Sequence, residues 1–155
     1  MLTTILYLAG LFKSRGEYDS AFEWYQRALA GMEKILGKHH LGTLVNVHNL
    51  AGLFKSRGED GKALEWYQRA LNGREKALGK HHPDTLTTVH SLAGLFERQG
   101  EYDKAFEWHQ RALDGRQNAL GTRLARTISS ADGLAPIRAL TFSRYPPIGV
   151  SSLSY

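Results

Sequence analysis

An all-α solenoid of three helical hairpins, followed by a degenerate C-terminal helix and tail, is the fold class the sequence predicts, and three observations predict it. Shifting the chain by 42 residues superposes Leu8-Ala9-Gly10-Leu11-Phe12 on Leu50-Ala51-Gly52-Leu53-Phe54 and on Leu92-Ala93-Gly94-Leu95-Phe96. The same shift superposes Glu23-Trp24-Tyr25-Gln26-Arg27-Ala28-Leu29 on Glu65 to Leu71 and on Glu107 to Leu113, with His109 in place of the tyrosine. Within each copy the apolar residues recur at steps of three and four, the helical period. Units that repeat at such a period cannot cover their own outer faces, so they stack.

The units fall at about residues 1–42, 43–84 and 85–121, with residues 122–155 as the tail. Met1 to Phe12 has the apolar stretch of a signal peptide but no positive residue before it, and it falls short of the roughly 20 apolar residues that span a bilayer. It reads instead as the first helix A. In unit two, helix A carries Leu44, Val47, Leu50, Ala51 and Phe54 on one stripe, and Gly58 breaks it. Helix B follows with Ala63, Tyr67, Ala70, Arg74 and Ala77, widened by Trp66 and Leu71, and Gly79 is placed as a left-handed cap. Ala51, Ala63 and Ala70 leave room for Phe54, Tyr67 and Trp66 where the helices meet. Glu23 and Arg27, Glu65 and Arg69, and Glu107 and Arg111 stand four apart in the favourable order for helix ion pairs. Gly31, Gly73 and Gly115 inside the B helices, and Gly10, Gly52 and Gly94 inside the A helices, cost about 1 kcal/mol each relative to alanine. They predict either close contacts there or a marginally stable protein. Thr127, Leu134 and Ala135 follow Thr85, Leu92 and Ala93 at the repeat distance. A decayed fourth helix A is therefore expected, weakened by Gly133 and ended by Pro136, with a disordered basic stretch after it.

Leu50, Ala51, Phe54, Gly58, Ala63, Tyr67 and Ala70 resemble the tetratricopeptide signature, and units one and three match it except at His109. The residues beyond the usual length of about 34, Leu78-Gly79-Lys80-His81-His82-Pro83-Asp84-Thr85, resemble the longer repeats of kinesin light chain. The resemblance covers residues 1 to about 121. It implies a right-handed α-α superhelix that holds a protein or peptide partner, and it lends a binding role to Asn49, which stands before Leu50-Ala51 as an asparagine does in that family. Units one and three have Tyr7 and Ser91 there. There is no heptad segment for a kinesin heavy chain.

Composition narrows the function. With no cysteine, disulfides, thiolate zinc sites and a cysteine nucleophile are excluded, which suits a reducing, cytoplasmic setting. The net charge of +5 is concentrated at the end: residues 1–121 carry 16 Lys or Arg against 14 Asp or Glu, whereas Arg123, Arg126, Arg138 and Arg144 face only Asp132. That tail can touch phosphates weakly, but specific nucleic-acid binding is not expected. The glycines lie in helices or their caps, and no Ser-His-Asp or paired-carboxylate arrangement stands outside the repeat pattern, so neither an enzyme nor a cofactor is expected. The pairs His39-His40 and His81-His82 recur between units. Adjacent histidines rarely point at one ion, so they are read as solvated loop residues and no metal is expected.

The stripe of helix A opposite the hairpin core lines the concave surface of a helical solenoid. From it we take Lys13, His48, Asn49, Lys55, His90 and Arg98 as candidate binders of an extended, acidic peptide: Asn49 donates to and accepts from a peptide main chain, and the cations attract carboxylates. Leu2, Leu6 and Tyr7 give helix A of unit one an apolar surface suited to self-association, so a monomer or weak homodimer is expected. The alternative is a non-binding spacer, or a fragment of a longer array.

Overall fold

The computed structural model describes residues 1–130, and the Pro136 boundary and the stretch beyond it lie outside them. The described residues form six helices and no strand: α1 (Leu2–Ser14), α2 (Tyr18–Ile35), α3 (Leu41–Ser56), α4 (Asp60–Leu78), α5 (Pro83–Arg98) and α6 (Tyr102–Ser130). Odd-numbered helices are the A helices and even-numbered ones the B helices. The chain divides into two compact units, Met1–Arg116 and Gln117–Tyr155. The first holds α1 to α5 and the start of α6. The second is described through residue 130 and holds the rest of that helix, on which Leu120 and Leu124 are exposed.

Each A helix stops at a glycine with positive φ: Gly16 at +79°, Gly58 at +80° and Gly100 at +75°. That backbone lets the next residue turn back, so Glu59 N–H donates to the Phe54 carbonyl at 2.9 Å, as Glu17 does to Phe12 and Glu101 to Phe96. Between units, Gly37 and Gly79 end the B helices. Gly79 has φ +91° and ψ 165°, an extended positive-φ backbone rather than the expected left-handed cap. The carbonyls of Gly37 and Gly79 accept from Thr43 Oγ1 at 2.8 Å and Thr85 Oγ1 at 2.9 Å, which fixes the loop to the following helix. His40 and His82 are not idle loop residues. Each is an N-cap whose Nδ1 accepts a backbone N–H at 3.1 Å, from Gly42 and from Asp84 respectively. At Gly121, the counterpart of Gly79, the helix runs on. Arg123 to Arg126 supply helix formers where His81-His82-Pro83 would impose a turn.

The core is the predicted stripe. Leu44, Val47, Leu50, Ala51, Phe54, Ala63, Tyr67 and Ala70 are all buried, as is Arg74; Ala77 is exposed. Arg74 is the largest surprise in that set. Its Nη1 donates to the Asp84 carbonyl at 2.8 Å and to Thr88 Oγ1 at 2.7 Å, so it fastens α4 to α5. Asn46, also buried, fastens α3 to α2 through Nδ2 and the Tyr25 carbonyl at 3.0 Å. The expected ion pairs along single helices do not form. Arg69 and Arg111 instead reach Glu33 and Glu75 of the preceding B helix while lying over the Trp66 and Trp108 rings. The inter-helix carboxylates are the more sheltered partners, which strengthens the attraction.

The helix glycines meet close neighbours. A β-carbon on Gly73 would lie 2.5 Å from Leu44 Cδ2, and one on Gly115 2.5 Å from Leu86 Cδ2; both leucines are 1% exposed and must shift to admit it. Gly73→Ala is therefore expected to lower the melting temperature: overpacking costs about 1–3 kcal/mol, more than the roughly 1 kcal/mol gained in helix propensity. Gly61, in the first turn of α4, meets nothing within 4 Å. Gly61→Ala is expected to raise the melting temperature, by up to about 1 kcal/mol of added stability. Thermal unfolding of the two variants checks both signs, and a stabilised Gly73→Ala would mean that Leu44 does not pack where it is seen.

Candidate peptide-binding face

The A helices bring a cation across a glycine at each step. Lys13 extends from α1 over Gly52 of α3, where an added β-carbon would lie 3.0 Å from Nζ and 3.4 Å from the Tyr67 hydroxyl. Lys55 extends from α3 over Gly94 of α5 in the same way, at 3.2 Å. The two glycines are thus the floor on which the lysines lie. Burial, with the nearby charge of Lys55, holds the Lys13 amine below its usual value. Neither lysine has an ion-pair partner among the described residues, whereas Arg57, Lys62, Arg69, Arg98 and Lys104 all do. Asn49 is half-buried, and its side-chain amide has no hydrogen-bond partner among the described residues.

The other candidates are placed differently. Arg98 is already engaged: Nη1 donates to the Lys55 carbonyl and Nη2 lies 3.1 Å from Asp60 Oδ1. His48 is packed into the structure, its ring centroid 5.1 Å from that of Tyr67 and its Nδ1 3.3 Å from the Thr88 hydroxyl. Burial first, then the charges of Arg74 and Lys13, pushes its imidazole down to about 4, so it is neutral at pH 7. His90 is exposed, with its ring 5.0 Å from that of His109.

Unit three departs from the other two in a concerted way. Glu97 stands at the position of Lys13 and Lys55, His109 at the position of Tyr25 and Tyr67, and the two new residues meet at 2.9 Å. The row of cations therefore ends in a carboxylate that is already engaged. Both substitutions are visible in the aligned repeats; their contact is not, because it joins α5 to α6.

Leu2 and Leu6 turn out to be half-buried, Leu2 lying 3.2 Å from a β-carbon built on Gly31, while Tyr7 is 70% exposed. The apolar surface on α1 belongs more to Leu8 and Leu11, 38% and 45% exposed, whose counterparts Leu50, Leu53, Leu92 and Leu95 are wholly buried. Among the described residues no group of three or more His, Asp or Glu side chains is placed to hold a metal ion, and no helix is long and apolar enough to cross a membrane.

Residues 1–76 and 48–118 match the tetratricopeptide repeat family profile. No curated protein matches the chain. Among solved structures it is similar to BtubC (BKLC) from P. vanneervenii, at 26% identity and a TM-score of 0.70, over 76% of this chain and 46% of that one. The chain thus spans about half the length of that relative. Two structures of nearly identical TPR-like repeats of a kinesin-light-chain-like protein from Podosopora anserina share the fold. One is 24% identical with a TM-score of 0.67, over 74% of this chain and 54% of that one. The other is 20% identical with a TM-score of 0.67, over 94% of this chain and 79% of that one.

Proposed function

The chain belongs to the tetratricopeptide repeat family, whose all-α superhelix of the kinesin-light-chain type generally mediates protein–protein interaction, and from that premise we propose that it holds an extended, acidic segment of a partner along its A helices. The observation that carries this reading is the pair Lys13 and Lys55: two half-buried cations on adjacent A helices, next to each other's charge, with no carboxylate among the described residues answering them. Like charges held together and partly desolvated are costly unless an anion completes them. Asn49, on the same helix as Lys55, supplies the donor and acceptor that a peptide main chain needs. His48 and Arg98 act from behind, by holding α3, α4 and α5 together, while His90 borders the face in unit three.

The test is a displayed peptide library screened against the native chain and a Lys13→Ala, Asn49→Ala, Lys55→Ala variant with unchanged helical circular dichroism. Enriched peptides are expected to be acidic, to bind about tenfold or more weakly to the variant, and to be released by salt. Equal enrichment by the two chains would move the function away from this face.

A further inference from the structure

We propose that a second copy of this chain docks end to end on the first, the α1 face of one copy seating on the α6 face of the other. The junction between the first two hairpins shows how such faces fit. There the Phe22 ring of α2 stands edge-on to Phe54 of α3 with centroids 5.7 Å apart, Arg57 Nη1 lies 3.4 Å from Asp19 Oδ1, and the Arg57 guanidinium sits over the Phe22 ring. Leu29 on α2 and Leu50 and Leu53 on α3 are buried at 8%, 0% and 0% exposure.

Both halves of that junction recur on α1 and on the described part of α6. Leu8, Leu11, Phe12 and Arg15 stand 42 residues before Leu50, Leu53, Phe54 and Arg57, with every residue type the same. Asp103, Phe106 and Leu113 repeat Asp19, Phe22 and Leu29, again without a change of type. Unit two has Gly61, Leu64 and Leu71 at those positions, so the terminal B helix is the better copy of the surface that α3 already accepts. Phe106 is 70% exposed and Leu113 49% exposed, and Leu8 and Leu11 are open at the other end. A second copy therefore supplies, position by position, the aromatic pair, the arginine-aspartate pair and the leucines that close the first junction. The described residues offer one face of each kind, so the association is heterologous and open-ended. It continues the row of A helices from one copy to the next.

Analytical ultracentrifugation of the full chain from about 10 µM to about 1 mM, the range in which a small interface is populated, is expected to show a mass that rises past the dimer. Leu11→Glu blocks one face and Phe106→Glu the other. Both sites are solvent-exposed, so folding is retained, as circular dichroism will verify. Each variant alone is expected to stay monomeric, and their equimolar mixture to stop at a one-to-one dimer, because one intact face of each kind remains. A native chain that remains monomeric at the top of that concentration range overturns the proposal. So does a Phe106→Glu variant that associates as well as the native chain, which would indicate a symmetric pairing of α1 faces.

Discussion

Leu50→Ala is expected to cost about 2–5 kcal/mol of stability, and Leu8→Ala, the same change at the same repeat position, only about 1 kcal/mol. Leu50 has no exposed surface; Leu8 keeps 38% of its own. Both sit on an A helix packed on its own B helix, but α3 is also covered by α2 of the preceding hairpin. The difference between the two variants therefore measures what stacking adds to a hairpin. Leu92→Ala, wholly buried on α5, should resemble Leu50→Ala. Since a domain's stability is typically about 5–15 kcal/mol, the larger loss leaves a chain near its unfolding limit. Denaturant titration at low micromolar concentration, where association between copies does not contribute, gives the three values. Equal costs for Leu8 and Leu50 would mean that the hairpins do not bury each other.

The repeat makes most of the fold legible without coordinates, since a residue that is apolar in three copies at one helical phase has few places to be except the core. Leu44, Val47, Leu50, Ala51 and Phe54 follow from period alone. What period does not reveal is whatever joins one hairpin to the next. Helical spacing pairs Arg69 with Glu65 because it shows only neighbours on the same helix, whereas Glu33, a whole unit earlier, is the residue Arg69 meets. Lys13 and Gly52 recur in every comparison of the first two units, yet only the offset between stacked helices reveals that one lies over the other. His40 and His82 do not read as caps because that position favours Ser, Thr, Asp and Asn, and an imidazole serves there only through an unprotonated Nδ1. Of the candidate binders, Lys13, Asn49 and Lys55 have side chains without a partner among the described residues, while His48 and Arg98 are engaged in holding the helices together.

Stability is expected to fall as pH drops from about 6.5 to about 4, and His48 to be a principal cause. In the folded chain its imidazole is pushed down to about 4 by burial, then by Arg74 and Lys13; in the unfolded chain it returns to 6.5. Between those values the unfolded state binds the proton and the folded state does not, so ν for the unfolded state exceeds ν for the native one and stability rises with pH. The contribution is intact above pH 6.5 and lost progressively down to pH 4, amounting to about 3 kcal/mol at the lower end. The geometry explains why the proton is refused. A charged ring would stand among Tyr67, Thr88 and the Arg74 guanidinium, with no carboxylate among the contacts it makes. His48→Gln keeps a polar side chain of similar size and removes the titration. Chemical denaturation of both chains at several pH values between 4 and 7 should therefore give a steeper slope for the native chain than for the variant. If the two slopes coincide, His48 carries its proton in the folded state and the contact with Thr88 is not the one described.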